Sequence, residues 1–270
     1  DPAVLVADEG GKYLISLLSG HIGRANEWCS KLAVRIGAMP VITTATDARG
    51  MFAVDIFATE HNMRIVNPVM IKDISGRILN NEPVGITGND KYKNLLKVTE
   101  ERWNGQIKYT DNSNNEYESG VQIITGKDDK IVFKRTLKLV PQELAVGIGC
   151  KKGKSAHEIE RAVKKTFDKA GLLLEAIAVV ASVDRKADEA GIIEFARKCK
   201  VPYKTYTPEY LRDVEGDFVS SAFVEEQIGV GNVCERSAGA ASSGGEKLVG
   251  KTADNGVTVA IYRVAQKNKE

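Results

Sequence analysis

Two spacings of apolar positions run through this chain, and the changes from one to the other mark its elements. Ala3-Val-Leu-Val-Ala7 and Tyr13-Leu-Ile-Ser-Leu17 read as strands about a turn at Gly10-Gly11. From Arg24 to Ile36 the period lengthens to that of a helix, with Trp28, Leu32 and Ile36 on one stripe. Gly37 ends that helix, Pro40–Thr44 reads as the next strand, and Thr46-Asp47 supplies a cap. Helical spacing returns over Val54–Asn62 and Pro68–Leu79, before the apolar strand Pro83–Thr87. Tyr109–Ser119, with its asparagines, reads as an exposed loop. Val121–Thr125 and Lys130–Lys134 read as strands around Gly126-Lys-Asp-Asp129, which predicts a hairpin, and Pro141 as a boundary.

Beyond Pro141 strand and helix alternate more cleanly. Strands are expected at Leu144–Ile148, Ala176–Ser182 and Tyr203–Tyr206, with helices over Ala156–Ala170 and Lys186–Lys198 between them. The small-residue run Val233–Gly245 reads as a tightly packed helix. Lys247–Lys251 and Val257–Val264 form a hairpin turned at Asp254-Asn-Gly256. The fold class that follows is α/β. An N-terminal α/β domain, which reads as the later part of a longer domain, occupies residues 1–50 and a middle region residues 51–140. A C-terminal α/β domain, residues 141–270, carries a mixed sheet flanked by helices and the terminal hairpin.

Composition narrows the function classes. With 270 residues, 43% hydrophobic and 27% charged, the chain can bury two or three cores. A net charge of +2, from 38 basic and 36 acidic side chains, argues against a nucleic-acid partner. No apolar run approaches the ~20 residues that cross a bilayer, so no membrane partner is expected. The N-terminus carries no export signal, which favours the cytoplasm. Cys29, Cys150, Cys199 and Cys234 lie far apart without a CxxC pair, and His21, His61 and His157 share no local motif, so neither a disulfide scaffold nor a protein-bound metal is expected.

The segment richest in chemistry is VGIGCKKGKS, Val146–Ser155. An apolar strand stops at Gly149, Lys151, Lys152 and Lys154 follow, and Ser155 opens an amphipathic helix. Backbone N–H groups, the positive end of a helix dipole and ammonium groups gathered there would receive an anion. The spacing matches neither a Walker A loop nor GxGxxG, and the bland reading is a solvated turn. In an α/β domain ligands collect at the carboxyl edge of the sheet. There this turn is expected to meet Ser182–Glu189, Gly229–Glu235 and Lys251. Lys186 and Glu189 share a helix face, and Glu235 is a carboxylate among small residues. Lys186, Glu189 and Glu235 are expected around one cleft. In the N-terminal part, Ser19, Gly20, His21 and Asn26 crowd a strand-to-helix turn.

Four segments carry a resemblance: DEGGKYLISLLSGHIGRANEWCSKLAVRIGAMPVITTATD (Asp8–Asp47), VGIGCKKGKS, ASVDRKADEAGI (Ala181–Ile192) and GVTVAIYR (Gly256–Arg263). In this order they resemble the cobalt-precorrin-5A hydrolases of anaerobic cobalamin (vitamin B12) biosynthesis. Two departures stand out: Arg24 where the family's turn often has a glycine, and Cys234 where it has a small aliphatic residue.

The resemblance implies opening of a δ-lactone on a cobalt-containing tetrapyrrole and expulsion of the former meso carbon, with its methyl, as acetaldehyde. The cobalt arrives with the substrate, so no cofactor is implied. The substrate's acetate and propionate rim makes it a polyanion, which suits lysines and helix N-termini. The chemistry needs a base for water, donors for an oxyanion and a path for the proton of the freed hydroxyl. Glu235 or Glu189 is the candidate base. Lys186 is the candidate stabiliser, with the backbone of Gly149, Cys150 and Lys151, and His21 the proton-transfer group. Lys152, Ser155, Ser19, Gly20, Asn26 and Lys251 complete the expected substrate contacts. Contact with neighbouring pathway enzymes and a homo-oligomer are compatible with the family. The rival reading is a carrier that binds corrinoid intermediates without turning them over.

Overall fold

The structure, a computed structural model, describes residues 2–20, 23–42, 50–103, 105–111, 116–216, 218 and 231–265. Two compact units divide the chain near Pro141. The first comprises Asp1–Ile124 and Asp129–Pro141; the second comprises Thr125–Asp128 and Gln142–Glu270.

Within the first unit, β1 (Val4–Ala7), β2 (Tyr13–Leu18) and β3 (Met39–Ile42) form a three-stranded sheet, with α1 (Ala25–Ile36) between β2 and β3. The helix buries Ala25, Cys29 and Ala33, not the Trp28 stripe, and Trp28 and Ile36 remain exposed. Small side chains let α1 lie close to Leu14 of β2, and the Cys29 thiol donates to the Leu14 carbonyl at 2.9 Å.

The rest of this unit is a second sheet, in order β4 (Met63–Ile65), β8 (Arg135–Pro141), β7 (Ser119–Ile123), β5 (Val84–Thr87), β6 (Ile107–Tyr109). It packs with α2 (Val54–Glu60), α3 (Met70–Leu79) and α4 (Lys93–Arg102), a helix the apolar spacing did not announce. The core gathers Phe52, Phe57, Ile74, Ile86, Leu96, Val121 and Leu137. Burying each such side chain stabilises the fold by about 1.5–3 kcal/mol.

The expected hairpin at Gly126–Asp129 is absent. Residues 130–134 are not a strand, and β7 pairs with β8 in parallel. The Gln122 side chain holds the intervening segment through Lys130 O and Val132 N. Phe133 lies over Gly85 and Gly120, where a Cβ would come within 2.4 and 2.3 Å of its ring.

The second unit is built on a mixed sheet in order β11 (Tyr203–Tyr206), β10 (Ile177–Val183), β9 (Leu144–Cys150), β13 (Val257–Arg263), β12 (Lys247–Asp254). Strands β9, β10 and β11 are parallel, β13 is antiparallel to β9, and β12 is the hairpin edge. Alternation along each strand sends Ala145, Ala181, Ala260 and Tyr262 towards α8 (Val233–Ser242). The other face receives α5 (Ala156–Lys169) and α6 (Ala190–Cys199). The short α7 (Pro208–Arg212) follows β11. Gly147 is where α8 comes closest, since a Cβ there would meet the Cys234 carbonyl at 1.8 Å. The sheet, its covering helices and the terminal hairpin agree with the α/β reading of the sequence.

Candidate active site

At the carboxyl edge of this sheet β9 ends in Gly149 and Cys150, and the turn through Lys151, Lys152, Gly153 and Lys154 delivers the chain to α5. Gly153 takes φ 81°, a left-handed value that glycine adopts without penalty. Ser155 caps α5 with a reciprocal capping box. Its hydroxyl accepts from Glu158 N, and the Glu158 carboxylate accepts from Ser155 N at 3.0 Å. Lys154 Nζ donates to Glu158 at 2.7 Å. That bond, then the Ser155 backbone and hydroxyl, lowers the Glu158 carboxyl to about 2. Lys151 and Lys152 stay exposed on the turn, while the Lys151 amide donates to Gly256 O at 2.9 Å and docks the turn on the terminal hairpin.

The turn after β10 supplies the counterpart. Glu189 N-caps α6 from a one-turn 3-10 segment, Asp184–Lys186. One carboxylate oxygen of Glu189 accepts the Gly153 amide at 2.8 Å and the other accepts Lys186 Nζ at 2.8 Å. Lys186 is only 15% exposed and Glu189 9%, so this ion pair is sheltered from water. Burial raises the Glu189 carboxyl, but the bonds from Lys186 and Gly153 outweigh it and leave the group below the ordinary carboxylate range. Tyr203 OH donates to the Lys186 carbonyl at 2.8 Å and fixes the same turn from β11. Burial pushes that phenol up to about 12. Cys150 sits beside these charges; burial pushes its thiol up, against the pull of Lys186. Gly191 permits the close packing, because a Cβ there would come within 2.0 Å of Lys154 O.

Of the expected site residues, Gly149, Cys150, Lys151, Lys152, Ser155, Lys186 and Glu189 therefore share one edge. Glu235 does not join them. It belongs to α8 on the opposite face, 2% exposed, with Oε1 accepting Lys251 N at 2.5 Å and Oε2 3.7 Å from Lys247 Nζ. The expectation of one cleft holding Lys186, Glu189 and Glu235 is corrected by the period-2 alternation of the sheet, which puts α8 and the α5–α6 pair on different sides. Lys251 goes with Glu235. Asn232 caps α8, its side-chain oxygen accepting Glu235 N at 3.1 Å.

In the first unit, Ser19 O accepts Ala25 N at 3.1 Å and Gly20 O accepts Asn26 N at 3.0 Å, which starts α1. Asn26 Oδ1 accepts the Ser16 hydroxyl at 2.5 Å. These contacts give the three residues parts in shaping the turn. Arg24 holds φ 62° there. His21, Thr46, Asp47, Gly229 and Val230 lie outside the described residues. The residues that sequence reading did not name are Gly153 as the clamp's donor, Tyr203 and Gly191. Only Gly153 had a local signal, as a glycine beside a capping serine.

Comparison with known proteins gives the site its context. The chain matches three family models in succession: Cobalamin synthesis G N-terminal over residues 1–47, Cobalamin biosynthesis central region over 52–141 and Cobalamin synthesis G C-terminus over 144–262. It is 34% identical to the cobalt-precorrin-5A hydrolase of Salmonella typhimurium over 264 residues, covering 97% of this chain and 74% of that protein. The chain belongs to the cobalt-precorrin-5A hydrolase family. It is 29% identical to the cobalt-precorrin-5A hydrolase of Priestia megaterium over 79% of this chain and 59% of that one. Among solved structures it is similar to CobE, a protein from the cobalamin biosynthetic pathway, with a TM-score of 0.44 and 29% identity over 47% of this chain and 94% of that one. Among the described residues no helix is long and apolar enough to cross a membrane.

Proposed function

We propose that this chain is a cobalt-precorrin-5A hydrolase, acting on a carbon–carbon bond of a cobalt-containing tetrapyrrole. Water adds to the lactone carbonyl and the ring opens to a carboxylate and an alcohol. The alcohol loses its proton as its C–C bond to the macrocycle breaks, and acetaldehyde leaves. The electron pair of that bond passes to the macrocycle, which carries the cobalt.

One observation in the structure supports the reading most directly. The Glu189 carboxylate clamps the lysine-bearing turn to the start of α6, while Lys151 and Lys152 stay free in solvent. Fixing the turn in advance removes an ordering cost from binding, and a substrate rimmed with carboxylates is what such a turn would hold. The sheltered setting of Lys186 beside this turn supports its reading as the stabiliser of the oxyanion of lactone attack. Glu189, with both oxygens engaged and its proton affinity lowered, suits the role of clamp better than that of general base.

The test is incubation of the purified chain with the cobalt-lactone, following acetaldehyde and the ring-opened product together. Catalytic release of acetaldehyde supports the hydrolase. Tight binding of the lactone with no acetaldehyde would replace it with the carrier.

A further inference from the structure

Glu235 is a buried carboxylate of the second unit that takes no part in the clamp at the carboxyl edge. Its strand partner, β12, is the outer strand of the sheet, where half the backbone amides have no ladder partner. The register also breaks here: Val249 pairs with Ile261 but Thr252 pairs with Val259, so three steps along β12 oppose two along β13. An extra residue of this kind leaves an amide unpaired and turns a side chain out of register. The amide concerned is that of Lys251, and its acceptor is Glu235 Oε1 at 2.5 Å. Gly250 makes room, since a Cβ there would stand 3.0 Å from the same oxygen. Oε2 is buried without a hydrogen bond, 3.7 Å from Lys247 Nζ. A carboxylate this enclosed has no access to the water a base would activate.

We propose that Glu235 is a positioning residue for the Lys251 cation: an acceptor carried on α8 that fixes the β12 bulge and so sets where Lys251 meets the substrate's carboxylate rim. The assignment rests on the hydrolase reading for the substrate, but its geometry does not. The bond from its amide to Glu235 holds Lys251 beside the first turn of α8. At that point it adds to the positive end of the helix, which makes the α8 side a second carboxylate contact, distinct from the Lys151–Lys152 turn.

The test uses the full chain with three substitutions and two readouts, steady-state kinetics on the cobalt-lactone and hydrogen exchange of the Lys251 amide. Glu235→Ala should raise KM about three- to tenfold, the scale of one hydrogen bond, with kcat changed far less, and should speed exchange at Lys251. Glu235→Gln keeps an acceptor oxygen and should restore both. Lys251→Ala should reproduce the KM rise, and the Glu235→Ala/Lys251→Ala double variant should be no worse than either single one. Loss of kcat in Glu235→Gln with Lys251 exchange unchanged would make Glu235 the base and overturn the proposal. An unchanged KM in Lys251→Ala would also overturn it. If Glu235→Ala does not fold, the glutamine and Lys251 arms decide. If the wild type releases no acetaldehyde, the hydrolase reading has failed, and amide exchange with the Kd for the macrocycle tests the positioning role separately.

Discussion

Glu189 accepts the Gly153 amide and the Lys186 ammonium on its two carboxylate oxygens, so a single side chain ties the turn after β9 to the turn after β10. Replacing it with alanine leaves a sheltered ammonium unpaired and the turn loose. Glu189→Ala should lose about 1.5–3 kcal/mol, the range for a hydrogen bond to a charged group, and should raise KM. Thermal unfolding and the acetaldehyde assay check both parts. Glu189→Gln retains the bond to Gly153 but not the ion pair, and should fall between.

Gly191 gives the second expectation. A methyl at this position would press on the Lys154 carbonyl at 2.0 Å, and backbone cannot swing aside as a flexible side chain can. Gly191→Ala should cost about 1–3 kcal/mol by overpacking and, by pushing α6 from the lysine turn, weaken substrate binding as well. A variant with wild-type melting temperature and wild-type KM would show that the turn adjusts freely.

These two positions show what the sequence could and could not reveal. Ser155 and Glu158 stand three apart before an amphipathic run, and a capping box depends on nothing more distant, so the helix start was legible. Asp254-Asn-Gly256 announced the hairpin for the same reason. The turn at Gly126–Asp129 looked just as local, yet β7 and β8 run parallel, because the pairing of Val121 with Leu137 is decided by a sheet whose other strands lie far off in sequence. In α1 apolar spacing picks out the larger stripe of Trp28, Leu32 and Ile36, whereas Ala25, Cys29 and Ala33 make the contact with the sheet. Close approach selects small side chains, and apolar spacing alone is blind to that. Glu235 was conspicuous among small residues, but which face of the sheet it would occupy depends on the register of β9 against α8. Arg24 is the converse case. The expectation of a glycine at that turn agrees with its φ of 62°.

Acid should weaken the start of α5. The Glu158 carboxyl lies at about 2 in the folded chain against 4.5 for the free group. A depressed folded value means that its stabilisation is present in full above pH 4.5. It is lost as pH falls towards about 2, where the folded carboxylate finally takes up its proton. Melting temperatures of wild type and Glu158→Gln should therefore differ at pH 7 and converge near pH 2. A gap of constant size across that range would assign the difference to packing instead of charge.

Cys150 lies at the centre of the edge, but burial raises its thiol, so little thiolate exists near neutrality. Cys150→Ala should keep turnover within about threefold of wild type, because lactone hydrolysis by water needs no covalent enzyme intermediate. Alkylation of Cys150 by iodoacetamide should be slower than that of a free thiol at the same pH. Abolished turnover in a folded alanine variant would point to a thioester route.

Recognition by charge is the most exposed expectation. Lys151 and Lys152 stand in solvent on a turn whose backbone is already held at Gly153 by Glu189 and at Lys151 by Gly256. Neither ammonium is needed to keep that turn in place. Each contact with a carboxylate at a helix N-terminus contributes about 0.3–1 kcal/mol when exposed, so loss of two corresponds to a rise of about 3- to 30-fold in KM. The same contacts are screened by salt. Lys151→Gln/Lys152→Gln should therefore raise KM at low ionic strength, flatten the dependence of KM on salt, and leave the melting temperature nearly unchanged. If affinity and salt response both matched wild type, the turn would be a solvated loop, and the carboxylate rim would be read elsewhere in the chain.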